Sequence, residues 1–286
     1  MSYTRTCLSP QYASWLDNMD GGESIDSESM DVDLVKEFHK AISSNNDDKV
    51  LEMLTKNKNL AMADIKDEKT IRDVYPKSDV TKDFYIYTDS CLTPLEGVGI
   101  SGSVAIAKHL LCSEISNDSL YLAKALACCT INDNHEVAKE IIQYNVEAIN
   151  TVAWDNTALY WAAWFDAAQT GEVLLSMEDV LVNEGDNMDR DTPLHMAVYR
   201  QSTKMLKLLL DNPKVEVNAL NRQEETPLYY AANQKNKNME HVKLLIEHGA
   251  NISKKSRWGK PPPFSKEEYE EILNNAIKMS SDSSKF

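Results

Sequence analysis

Paired aliphatic residues recur along this chain at a nearly constant distance from a threonine. Leu110-Leu111, Leu174-Leu175 and Leu209-Leu210 begin 17 residues after Thr93, Thr157 and Thr192, and Leu245-Ile246 follows Thr226 after two extra residues. Each threonine opens an apolar run of its own: Thr93-Pro94-Leu95, Thr157-Ala158-Leu159-Tyr160-Trp161-Ala162-Ala163, Thr192-Pro193-Leu194-His195-Met196-Ala197 and Thr226-Pro227-Leu228-Tyr229-Tyr230-Ala231. Thr192 follows Thr157 by 35 positions, and Thr226 follows Thr192 by 34. Two independent markers keep one phase, which is the mark of a repeat with a period near 33 residues.

The pattern predicts two helices per repeat. Thr192 can cap a helix through its hydroxyl, and Pro193 stands in the first turn, where a missing N–H costs nothing. Leu194 and Ala197 share a face at i and i+3, and the small Ala197 lets a neighbouring helix approach closely. One such pair cannot bury its apolar face alone, so the fold requires stacked copies with polar caps at each end. Weaker copies extend the series. Leu126, Cys129, His135-Glu136-Val137 and Ile141-Ile142 hold the register with Lys124-Ala125 in the Thr-Pro place, and Phe38, Ala41, Ile42, Val50, Met53 and Leu54 suit the helices of a first, capping unit. At the far end Gly259-Lys260-Pro261-Pro262 takes the place of Gly-x-Thr-Pro. Beyond it, Ser265 to Met279 predicts a capping helix: Ser265 and Glu268 make a capping-box pattern, and Tyr269, Ile272, Leu273, Ala276 and Ile277 form one stripe.

The repeat resembles the ankyrin repeat, whose Thr-Pro-Leu-His-x-Ala signature is matched best in Asp191 to Asn218 and Thr226 to Ile252. The resemblance implies an all-α solenoid of stacked helix-turn-helix units joined by short hairpin loops. On it, residues 31–279 form one elongated repeat domain of about six units plus the C-terminal capping helix, with an insertion at about 57–91. His195 is then a structural histidine whose hydrogen bonds tie adjacent units together, and Trp161 packs in the core. The family binds protein partners through the hairpin tips and the ends of the first helices. That points to Trp154, three before Thr157, to Trp164 and Phe165 after Ala162-Ala163, to Tyr199 and Arg200 at the matching place, and to Met188, Asp189 and Asp191 at a tip. Trp, Tyr and Arg are the types enriched where binding energy concentrates. The expectation is one partly exposed aromatic patch with Asp189, Asp191 and Arg200 at its rim. The competing reading is an irregular unit that buries its tryptophans.

Some features depart from the pattern. The chain has nine glycines, about half the usual share of roughly 7%, and the loop glycine expected before Thr-Pro is absent at Asp191 and Glu225. Asn57 to Cys91 carries no marker of the repeat, and its Asp83-Phe84-Tyr85-Ile86-Tyr87-Thr88 is aromatic and β-prone.

Composition narrows the function. The 286 residues carry 30 basic and 45 acidic side chains, a net charge of −15, which argues against direct nucleic-acid binding because phosphate contacts demand a basic face. Seven acids fall between Leu16 and Leu34 with no base among them, so residues 1–30 read as a disordered acidic tail, and 280–286 as a second disordered tail. Ser24, Ser27 and Ser29 within it are candidate phosphorylation sites. The longest apolar stretch, Leu120 to Cys129, is interrupted by Lys124, so no membrane span is expected. Met1 to Trp15 lacks a continuous hydrophobic block after a basic start, and five cysteines are an odd count that suits reduced thiols. A cytoplasmic or nuclear protein is the expectation.

No cofactor or metal is implied: Cys128, Cys129 and His135 never recur as paired Cys-x-x-Cys elements. No Gly-rich phosphate loop, His-Glu-x-x-His or Gly-x-Ser-x-Gly occurs. Lys254-Lys255-Ser256-Arg257 reads as a solvated loop, with a nuclear address as the alternative, and Pro261-Pro262-Pro263-Phe264 as a stiff lead into the last helix. The expected function is non-enzymatic: a monomeric adaptor or inhibitor holding a protein partner in a concave groove. The alternatives are a sequestering regulator of a transcription factor, and an enzyme built around residues 57–91.

Overall fold

The threonines that open each repeat are helix caps. The computed structural model describes residues 31–66, 68–75, 91–112, 118–233, 238–265, 267, 268, 270 and 272. Thr93 Oγ1 accepts from Glu96 N at 3.2 Å while Thr93 N donates to Glu96 Oε2 at 2.7 Å, a reciprocal box that satisfies two donors of the first turn. Tyr160 N, His195 N and Tyr229 N donate in the same way to Thr157, Thr192 and Thr226. The acidic tail at 1–30, Asp83 to Thr88, most of the helix expected at 265–279 and the tail at 280–286 lie outside the described residues. The chain divides into two compact units, Met1–Trp154 and Asp155–Phe286.

The first unit holds α1 (Val32–Ser43), α2 (Asp47–Lys56), a 3-10 turn (Lys58–Met62), α3 (Glu68–Val74), α4 (Pro94–Ser101), α5 (Val104–Cys112), α6 (Ser119–Cys129), α7 (His135–Tyr144) and a second 3-10 turn (Val146–Ile149). Within it α1, α4 and α6 stack in one row and α2, α5 and α7 in another, as a repeat that hides each pair behind the next requires. Phe38, Ile42, Leu95, Ile106, Leu110, Leu122, Leu126, Ile141 and Ile149 fill the space between. Gly99 makes the α4 to α6 contact possible, since a Cβ there would stand 2.6 Å from Ala125 O. Cys128 and Cys129 are fully buried on α6, and burial pushes both thiols up. The unmarked segment after α2 packs where it is described: Leu60, Ala61, Ala63, Ile65, Ile71, Val74 and Tyr75 are buried, and Ile65 and Leu92 exchange backbone hydrogen bonds of 3.0 and 2.9 Å.

The second unit holds α8 (Ala158–Phe165), α9 (Ala168–Leu175), α10 (Pro193–Tyr199), α11 (Thr203–Asp211), α12 (Pro227–Asn233) and α13 (Met239–Glu247). Here α8, α10 and α12 stack, as do α9, α11 and α13. The left-handed residue of each hairpin sits two before the threonine position: Asp155 (φ 65°), Arg190 (59°), Glu224 (57°) and Gly259 (70°). The strained positions are therefore Arg190 and Glu224, one residue earlier than the missing glycine expected at Asp191 and Glu225. Successive hairpins bond edge to edge, Arg222 N to Asp189 O at 2.7 Å and Arg257 N to Gln223 O at 2.9 Å. On the loops after the second helices, Asn183 Oδ1 accepts from Glu216 N and Asn218 Oδ1 from Asn251 N. Among the described residues the fold is all-α, with one isolated β-bridge, Ile65 to Leu92.

Candidate partner-binding face

α10 ends in a place set by its own cap. His195, at the third helical position, is fully buried; its Nδ1 accepts from Thr192 N at 3.2 Å and lies 2.9 Å from Thr192 Oγ1, and its Nε2 donates to Glu225 O at 3.0 Å on the next hairpin. Burial pulls its pKa down to about 4, so the ring is neutral and each nitrogen has a defined role. This is the structural tie expected of His195. It fixes the direction in which α10 delivers Tyr199 and Arg200.

The end of α8 supplies an aromatic cluster. Trp161 is buried, and Trp164 and Phe165 are half-buried beside it, with ring centroids 5.9 and 6.2 Å from that of Trp161. Trp164 also stacks on Tyr160 at 6.4 Å. The Arg200 guanidinium lies 4.4 Å over the Trp164 ring, within the range of a cation–π contact, so the ends of α8 and α10 meet through these two side chains. Tyr199 beside them is 54% exposed, with its ring edge-on to that of Tyr230 at 6.3 Å. Met188 (66% exposed) and Asp189 project from the hairpin before α10, and Asp189 Oδ1 accepts from Gln223 Nε2 at 3.2 Å.

Asp191 is placed differently from the rim position expected of it. Its carboxylate is buried and accepts from Tyr230 Oη at 2.7 Å and Asn221 Nδ2 at 2.9 Å. Burial pushes this carboxyl up, and the same cluster pushes the Tyr230 phenol up, burial again first. Asp191 thus braces two hairpins from inside. Tyr230 and Asn221, which do this bracing, carry no local signal in the sequence; only repeat register brings residues 39 apart into contact. Trp154 belongs to the first unit, where it is half-buried at φ 50° with the Lys124 ammonium 5.6 Å from its ring centroid.

Chemically, the face offers aromatic carbon, one guanidinium and one exposed carboxylate. Among the described residues no group of three His, Cys, Asp or Glu side chains could hold a metal ion, and no helix is long and apolar enough to cross a membrane.

Comparison with known proteins agrees with this geometry. A family model for ankyrin repeats, in three copies, matches residues 166–256. Over 142 residues, 48% of the chain, the sequence is 32% identical to inversin from the dog, Canis lupus familiaris, and equally so to human inversin. The matched stretch makes up 12% and 13% of those two proteins' lengths.

Proposed function

Since this is an ankyrin-repeat chain, we propose that its second unit is a non-enzymatic adaptor or inhibitor surface that captures a protein partner through Tyr199, Arg200, Trp164, Phe165 and Asp189. Ankyrin repeats serve as protein-interaction modules, and the placement of these side chains supports that use. One observation carries the reading: Tyr199 is left 54% exposed next to an Arg200 already held over Trp164. A large amphipathic ring beside a pre-oriented cation can bury area at small cost in conformational entropy, as at the centre of an interface. The free thiols at Cys91, Cys128 and Cys129 suit a reducing compartment, and the chain works in the cytoplasm or nucleus as a monomer.

The test is quantitative affinity capture followed by titration of the captured protein. The Tyr199→Ala/Arg200→Ala double variant should lose the partner at least about tenfold, while Lys243→Ala on the exposed side of α13 retains it. Equal capture by all three would remove the face from consideration.

A further inference from the structure

The hairpin after α13 differs in chemistry from those before it. Ser256 N donates to Lys260 O at 2.9 Å and Gly259 N to Ser256 O at 2.8 Å, closing a turn that Pro261, Pro262 and Pro263 stiffen on its far side. The bond from Arg257 N to Gln223 O fastens this turn to the preceding hairpin. Three residues before each Thr-Pro place the unit carries Asp189, Gln223 and then Trp258. The first two are polar and bonded to each other, whereas Trp258 is 62% exposed. Around it stand Lys254, Lys255, Arg257 and Lys260, and none of the four forms an ion pair among the described residues. The Arg257 guanidinium lies 5.9 Å from the Trp258 ring centroid. Four basic residues on the same turn as a large exposed ring thus stand in a chain of net charge −15, after hairpins that carry Asp186, Asp189, Glu224 and Glu225.

We propose that this hairpin docks a short acidic peptide segment of a protein partner. Trp258 takes an apolar side chain of that segment, and Lys254, Lys255, Arg257 and Lys260 take carboxylates on either side. Charge complementarity selects the occupant. A nucleic acid or an anionic membrane would extend past one turn and meet the carboxylates of the preceding hairpins, whereas a few acidic residues fit within it. The backbone is fixed before binding, so little ordering cost opposes the contact. The turn is joined to Asp189 of the Tyr199 face only through Gln223, and the proposal rests on its own residues rather than on that face.

The experiment is fluorescence anisotropy of the full chain with a labelled peptide of glutamates and aspartates around one phenylalanine. A labelled single-stranded oligonucleotide and phosphatidylserine vesicles are measured in parallel. Peptide binding should weaken at least about tenfold in Lys255→Glu/Arg257→Glu, about fivefold in Trp258→Ala, and progressively with added salt, at an unchanged melting midpoint. Lys255→Gln/Arg257→Gln removes charge without reversing it and should act in the same direction. Absence of peptide binding, binding indifferent to these variants, or tighter variant-sensitive binding of the oligonucleotide or vesicles would overturn the proposal.

Discussion

Glu96 is an acid held almost out of water in the first turn of α4, 2% exposed, with its carboxylate accepting from Thr93 N. Burial pushes its pKa to about 7, and that of Asp64 to about 6. The same unit pulls His39 down to about 4, again through burial, although His39 Nε2 donates to Ala63 O at 2.8 Å. The two kinds of group act in opposite directions on stability. Between pH 4.5 and about 7 an unfolded glutamate has released the proton that folded Glu96 keeps, so stability falls as pH rises through that window. Between pH 6.5 and about 4 an unfolded histidine takes up the proton that His39 refuses, so stability falls as pH drops. Glu96→Gln keeps an acceptor for Thr93 N and cannot ionise. It should exceed the parent protein in stability by up to roughly 3 kcal/mol above pH 7 and match it below pH 4.5, as read by urea unfolding at both; parallel pH profiles would refute this account of Glu96. In the second unit, His195→Ala strands Thr192 N and Glu225 O and opens a cavity. A cost of about 2–4 kcal/mol in denaturant titration is expected, and a loss near zero would show that the tie between hairpins is dispensable.

Hairpins and helix ends are where this chain deviates from a regular repeat. Arg190 and Glu224 hold left-handed backbone that glycine adopts without strain. Arg190→Gly and Glu224→Gly should each stabilise the fold by about 0.5–1 kcal/mol, or leave it unchanged where the added freedom of the unfolded glycine offsets the relief; a clear loss in calorimetry would argue against strain there. At the end of α8, Trp164 is half-buried among Tyr160, Trp161 and Arg200. Trp164→Ala should therefore cost about 1–2 kcal/mol of stability as well as partner affinity, whereas Tyr199→Ala, at a more exposed ring, should cost affinity with a smaller loss of stability. The rings stacked on Trp164 tie its truncation to folding. What was legible rested on local order: Thr192, Pro193, Leu194 and His195 announce a cap because capping spans four residues. What was not legible rested on contacts across repeats. Asp191 is buried by Tyr230, 39 positions on, and His39 meets Tyr75, 36 positions on. The left-handed turn residue was displaced by one because no glycine marks it at Arg190 or Glu224. Trp258 stands three before Pro261 as Trp154 stands three before Thr157, an offset legible once Pro261-Pro262 is set in the Thr-Pro place.

For the molecule as a whole, 45 acids against 30 bases make self-repulsion a standing cost of compactness. Screening relieves it, so raising the salt concentration to about 0.3 M should lift the melting midpoint by a few degrees. A flat or falling midpoint would mean that local ion pairs such as Lys108 with Glu140 outweigh the net charge. Legibility at this scale was high for the repeated helix pair and low for the segment after α2, whose Leu60, Ile65 and Ile71 enter the core without any periodic pattern to announce them. One further property follows from where sulfur sits. All five cysteines fall at or before position 129, and none falls within Asp155–Phe286. Because only the thiolate reacts, and burial holds Cys128 and Cys129 in the protonated form on α6, a thiol-specific reagent can modify that pair only while the surrounding helices are apart. The rate at which these two sulfurs are alkylated is thus a built-in clock for the opening of the unit that holds them.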